Sequence, residues 1–310
     1  MKSGAIHHFP PTVFRKGKKV LWNRIERKPL ANRPEERVRL RYIDYLTLEC
    51  GWPATRIAAE SAITVQNRDS RLRADLICYD KQLNPSILVE CKAESITLNH
   101  KAADQIALYN HSIQADTICI TNGVVDLWYG QNNGQLSGLK KLPLDHVTTP
   151  DKLRRQGDYW QKRGFAGSKP VTVSDGWETE MLCRFWSDEL PWNSRYLEIR
   201  HEMPELSFEN YYRLANVGES LRIAMSFSAG SDGNTYFTAI CNEAGSNRAL
   251  LITNLNRAAA NDKQNSTIMA GSGSYEVDIR QEIPFDYQEI HTGVIEKLPD
   301  FLEPLFRRWL

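Results

Sequence analysis

No apolar run in the 310-residue chain is long enough to span a bilayer, and the first residues lack the hydrophobic core of a secretion signal. A cytoplasmic protein with no membrane partner is expected. The six cysteines, Cys50, Cys78, Cys91, Cys119, Cys183 and Cys241, form no Cys-x-x-Cys pair and stand beside no histidine at metal-ligand spacing. Cys78, Cys91 and Cys119 fall inside apolar strand-like runs, as buried thiols of a reducing compartment do. Nothing reads Gly-x-x-x-x-Gly-Lys-Ser/Thr; the run Ala270 to Ser274 lacks the lysine and reads as a hairpin loop, so no motor is expected in this chain. The net charge of +1 hides an asymmetry. Residues 1–41 hold twelve Lys or Arg against three Glu, an excess of nine positive charges, which leaves the remainder at −8. Such a basic segment suits a polyanionic partner or a solvated arm.

What is present centres on Arg73 to Lys92. Arg73, Asp75, Ile77 and Tyr79 alternate with Ala74, Leu76 and Cys78; after a Lys-Gln-Leu-Asn-Pro break, Ile87, Val89 and Cys91 alternate with Leu88, Glu90 and Lys92. Two strands and a turn follow. Side chains on a strand repeat every second residue, so Glu90 and Lys92 leave one face roughly 6 to 7 Å apart. In a hairpin, Asp75 can join them. Two carboxylates supply hard oxygens for Mg²⁺, which keeps several waters and takes up phosphate oxygens. Phosphodiester hydrolysis is chemistry this grouping suits, with Lys92 placed to orient or deprotonate a water or to neutralise developing charge. An exposed salt bridge at a sheet edge is the plain alternative.

Around this hairpin the chain alternates helix and strand. Residues up to about 30 read as an extended arm with one small strand or turn, and His7-His8 as the trace of an exposed terminus. A helix is expected from an N-cap at Asn32, through Pro34, Glu35 and Glu36, to about Cys50, where Gly51-Trp52-Pro53 stops it. Glu36 shares a stripe with Leu40 and Ile43, and Glu35 with Val38 and Tyr42, so periodicity does not choose which acid faces the sheet. Residues 56–66 are strand-like with a lone acid, Glu60, and residues 67–70 a turn. A helix near 99–113 carries the stripe Ala102, Ile106, Tyr109 and Ile113, with Gln105 one turn before Tyr109. Thr117 to Thr121 and Val124 to Tyr129 are strands joined at Asn122-Gly123. The sum is a mixed α/β sheet flanked by helices, complete by about residue 145.

Arg33-Pro-Glu-Glu-Arg-Val-Arg39, Arg73-Ala-Asp75, Leu88-Val-Glu-Cys-Lys-Ala93, Gln105-x-x-x-Tyr109-Asn110 and Thr121-Asn-Gly123 stand in an order and spacing that resembles the N-terminal nuclease domain of type I restriction enzyme R subunits. That domain belongs to the PD-(D/E)XK nuclease superfamily, and the resemblance covers residues of about 12–130. It implies a restriction-endonuclease-like fold and Mg²⁺-dependent DNA cleavage, with Mn²⁺ as a substitute ion. By the same resemblance Asp75, Glu90 and the backbone carbonyl of Cys91 would hold the metal and Lys92 would be the catalytic lysine. Glu36 would be the helix acid, and Gln105 and Tyr109 a pair that supports the site or touches DNA. The partners implied are DNA and, beyond it, other restriction or defence subunits or a second copy of the chain. Full R subunits continue into an ATP-driven translocase, and no such part is expected here. The alternative function is a nucleic-acid-binding or assembly module on a nuclease fold that does not cut; an RNA or damaged-DNA substrate also fits the chemistry.

Residues 146–176 read as a Pro-, Gly-, Lys- and Arg-rich linker with a short helix near 150–160, whose Arg154, Arg155, Lys162 and Arg163, interleaved with Trp160 and Phe165, could grip phosphates and stack bases, or simply be solvated. From 177 a β-rich α+β domain is expected. It would hold a helix at 178–190, a strand at 196–201, a short helix at 208–215, a hairpin about Ser231-Asp-Gly-Asn234, strands at 249–255 and 274–279, and an amphipathic helix from Val294 to Leu310. Trp177, Trp186 and Trp192 read as core. No set of His, Asp, Glu or Cys stands at catalytic spacing in this half, which leaves target recognition or dimerisation as the roles open to it.

Overall fold

A computed structural model describes residues 1–16, 18–63, 72–99, 106–107, 110–132, 135–140, 155–201, 206–218, 220–271, 273–283 and 292–310. The chain forms two compact units, Met1–Arg154 and Arg155–Leu310. Its described strands make three sheets, and the architecture is mixed α/β.

The first unit opens differently from the arm expected of it. Strands β1 (Thr12–Arg15), β2 (Lys18–Asn23) and β3 (Lys28–Leu30) pair as a small antiparallel sheet. Two residues explain it: Leu21 is buried in the core, and Asn23 accepts the amides of Ile25 and Glu26 to turn the chain into β3. Nor is the His pair an exposed terminus. Ser3 caps a 3-10 turn at Gly4–His7, Ala5 enters the core, and His8 is fully buried with Nε2 2.8 Å from Glu49.

Helix α1 (Pro34–Asp44) starts at Pro34, whose fixed φ suits the first helical position. Its cap is Arg33, one residue after the expected Asn32, because Asn32 is engaged by the Arg37 guanidinium at 3.0 Å. A π-helical turn, Tyr45–Glu49, extends it, and Gly51 at φ 65° ends it.

The six-stranded sheet runs β4 (Ile57–Ile63), β5 (Leu72–Tyr79), β6 (Pro85–Cys91), β7 (Thr117–Thr121), β8 (Asp126–Asn132) and β9 (Gln135–Gly138), each beside the next. The β6–β7 pair is parallel and the others antiparallel. A parallel pair needs a crossover, here residues 92–116, which are helical at 106–107 and 110–113. Period-two alternation then sorts the sheet's two faces. Leu76, Cys78, Ile87, Val89 and Cys91 pack with Val38, Leu40, Tyr42 and Ile43 of α1. Ile77, Leu88, Ile118 and Ile120 pack with Ile106 and Ile113 on the other side. Each such side chain contributes about 1.5–3 kcal/mol when fully buried, so a one-residue slip that turned both sets over is strongly disfavoured.

In the second unit β10 (Asn193–His201), β11 (Leu206–Val217), β12 (Leu221–Ala229), β13 (Thr235–Glu243), β14 (Ser246–Asn254), β15 (Ser266–Ala270) and β16 (Gly273–Val277) form one antiparallel meander in chain order. The expected hairpin at 231–234 joins β12 to β13, and the expected Gly-Ser loop joins β15 to β16. Residues 208–215 are strand, not helix. Residues 155–176 are not a solvated connector: Trp160, Arg163 and Phe165 are buried, and Trp160 and Phe165 join the Trp186 and Phe185 ring cluster. Arg154 lies outside the described residues. Trp177, Trp186 and Trp192 are core. The terminal helix is two, Thr292–Glu296 and Leu298–Arg307, because Pro299 suits a helix start and not an interior. No helix among the described residues is long and apolar enough to cross a membrane, and all six cysteines are free.

Candidate active site

β5 and β6 deliver the predicted residues to one end of the six-stranded sheet. The β5–β6 register ends with Leu76 opposite Val89, and Asp75 and Glu90 are the next residues on each strand. Asp75 Oδ2 accepts the Cys91 amide at 2.8 Å, Lys92 Nζ donates to Glu90 Oε1 at 2.7 Å, and the Lys92 amide donates to the Thr121 carbonyl at 2.8 Å. The last of these carries the β6–β7 pairing one residue past Cys91 and fixes the lysine's backbone.

Helix α1 settles which acid faces the sheet. Glu35 is exposed, whereas Glu36 is half-buried and its Oε2 accepts from Arg39 Nη2. Arg39, quoted in the first motif but given no role there, is the residue that joins these acids. It is 3% exposed, and its guanidinium also reaches Asp75 Oδ1 at 3.3 Å and Glu60 Oε1 at 3.3 Å. The available signal was its i,i+3 spacing from Glu36 inside a helix otherwise committed to the core. Glu60 holds a left-handed backbone, φ 49°, in the middle of β4, a conformation that costs about 1–3 kcal/mol. Its carboxylate bridges Arg39 and Lys28, the latter at 3.1 Å. Gln105 and Tyr109 lie outside the described residues.

The electrostatics follow from burial. Desolvation, and then the charge of Glu90, push the Asp75 carboxyl up to about 6, against the Cys91 amide, Arg39 and Lys92. Burial also raises Glu36, against Arg39. For Glu60 burial pulls upward too, but Lys28 and Arg39 prevail and its pKa falls. Burial works against the Arg39 charge, and the three carboxylates outweigh it.

Among the described residues no three His, Cys, Asp or Glu side chains gather as a ready-built metal cluster. Two carboxylates do stand together, and one of them is raised by the other's charge, a repulsion that a cation would relieve. Such a donor set fits Mg²⁺, which is bound through one or two carboxylates and keeps waters for the rest, better than a closed zinc site.

Outside the acids, the Thr121-Asn-Gly123 turn has a structural role. Thr121 Oγ1 accepts the Gly123 amide, Asn122 Oδ1 accepts those of Val124 and Val125, and Arg41, buried in α1, donates to the Gly123 carbonyl at 3.0 Å.

The segment from α1 to just past β9 is also where the chain meets a known family. Residues 34–143 match the family model of the type I restriction enzyme R protein N terminus. This R-protein match bears out the resemblance read from the motifs. It takes in Glu36, Arg39, Glu60, Asp75, Glu90, Lys92 and the Thr121-Asn-Gly123 turn, and it leaves out β1–β3 and the whole second unit. It spans less than half of the chain. No curated protein matches this chain.

Proposed function

We propose that this protein is a metal-dependent endonuclease that hydrolyses DNA phosphodiester bonds, on a PD-(D/E)XK fold. The observation that carries the reading is the gathering of Asp75, Glu90 and Lys92 at one sheet end inside the segment that matches the R-protein N terminus. Asp75, Glu90 and the Cys91 carbonyl would hold Mg²⁺, with Mn²⁺ as a substitute. When bound, the ion would neutralise phosphate charge and acidify a water.

The chain's own contributions are positional. The Cys91 amide fixes one Asp75 oxygen, and the Glu90 contact holds the Lys92 ammonium where it can neutralise charge on a phosphate oxygen or orient a nucleophilic water. Glu36 acts from the helix, and Gln105 with Tyr109 supports the site or DNA. The β1–β2 hairpin supports a polyanionic substrate: Arg15, Lys16 and Lys18 are exposed, no carboxylate among the described residues pairs with them, and Phe14 beside them is 56% exposed. Other restriction subunits, or a second copy of the chain, are the further partners proposed.

Plasmid, oligonucleotide and RNA digestion with Mg²⁺ and with chelator tests this directly. The expected result is Mg²⁺-dependent nicking of DNA that is lost in Lys92→Ala while circular dichroism shows the fold intact. Equal nicking by that variant sinks the assignment. DNA binding without cleavage by the wild type would instead make the chain a non-cutting module.

A further inference from the structure

Four arginines, Arg39, Arg41, Arg163 and Arg213, are buried among the described residues, and they are held in different ways. Arg213 donates to the backbone carbonyls of Phe185, Trp192 and Ser187 and to Ser194. Arg41 reaches the carbonyls of Ala5 and Gly123 as well as Glu94. Among the described residues, the side-chain hydrogen bonds and ion pairs of Arg39 go to carboxylates: Glu36, Glu60 and Asp75. Arg213 and Arg41 are fastenings for backbone, as is Arg163 through the Tyr159 carbonyl. Arg39 is a permanent charge inserted among acids, since a guanidinium does not release its proton here.

Two consequences follow from that placement. An ion bridging Asp75 Oδ1 to Glu36 would need oxygens at about 2.0–2.1 Å. The Arg39 nitrogens already stand between those same oxygens. Charge gives the same answer: Glu26, Glu36, Glu60, Asp75 and Glu90 carry five negative charges, and Lys28, Arg39 and Lys92 carry three positive. The net −2 is neutralised by one divalent ion and reversed by two.

Resting on the metal-dependent reading above, we propose that the Arg39 guanidinium fills the position a second cation would occupy, so that the site takes one divalent ion per chain, at Asp75 and Glu90. Glu36 and Glu60 then act as positioning residues for Arg39, and through it for Asp75, rather than as ligands. The strained backbone of Glu60 is consistent with this, because its carboxylate turns toward Arg39 and Lys28.

Mn²⁺ binding to the full chain, counted by calorimetry and by electron paramagnetic resonance of free ion, tests the proposal without reference to activity. Wild type should bind one Mn²⁺, and Arg39→Lys should keep that count. Arg39→Gln, if folded by circular dichroism, should bind two. Glu36→Gln and Glu60→Gln should shift the single Kd by no more than about threefold, whereas Asp75→Asn should lose it. Two ions in wild type, one ion in a folded Arg39→Gln, or a tenfold or greater weakening in Glu36→Gln or Glu60→Gln would each overturn it. No bound ion in wild type would overturn it too, and with it the metal-dependent function itself, which the other failures leave standing.

Discussion

Asp75 and Asp278 show how differently two carboxylates are treated in one chain. Asp75 is desolvated beside another acid and its pKa rises. Asp278 caps the short helix Ile279–Glu282, accepts from Arg280 and Asn265, and is pulled down to about 2, chiefly by the Arg280 side chain. Its folded value lies below the ordinary value near 4, so its contribution is fully present above about pH 4 and disappears as pH falls through about 2. Asp278→Ala should therefore cost roughly 0.5–2 kcal/mol in urea unfolding at pH 7, with the gap from wild type shrinking at pH 3. A gap that stays constant across that range would mean the loss is packing and not charge. At this scale the sequence was an uneven guide. Asp75, Glu90 and Lys92 were legible because strand alternation fixes their side. Glu36 was separable from Glu35 only once the helix was seated on the sheet, and the i,i+3 spacing of Arg39 from Glu36 marks a pair without telling which further acids Arg39 meets.

At the level of elements, β5 and β6 could be read because both faces are covered and a polar break separates them. Residues 208–215 misled for an equally physical reason. Phe208, Tyr211, Tyr212 and Ala215 fall at the i, i+3, i+4, i+7 spacing of a helix, yet β11 is an interior strand with Tyr211 and Tyr212 both buried. The β1–β2 hairpin escaped notice because its strands are short and β2 opens on two lysines. Its tip carries the element-scale prediction. Asn23 pairs with Lys28, which bonds Glu60, and β2 runs five residue steps, about 17 Å, from Asn23 to Lys18 beside the tip. Duplex DNA presents one charge per roughly 1.7 Å of axis, which places the tip over flanking phosphates. Replacing Arg15, Lys16 and Lys18 with Ala should flatten the plot of log affinity against log salt by about 2 to 3, roughly one unit for each phosphate left without its cation, with Mn²⁺ binding untouched. An unchanged slope removes the hairpin from the interface.

On the scale of the whole molecule, the acids, Arg39 and Lys92 all belong to Met1–Arg154, and so does the R-protein match. Each unit also has its own hydrophobic core, the first on both faces of the six-stranded sheet and the second around Tyr212, Ile240 and Leu250. A core that closes within its own residues is what independent folding requires. Length alone predicted two domains, but composition hid the join: Gly, Lys and Arg beyond residue 154 resemble a linker, and only packing reveals that Trp160 and Phe165 anchor the second unit. A fragment of residues 1–154 should fold cooperatively and bind Mn²⁺ within about threefold of the full-chain Kd, measured by calorimetry. A fragment with native circular dichroism that has lost the ion would show that the second unit completes the site, and the carboxylates of the first would no longer suffice to explain it.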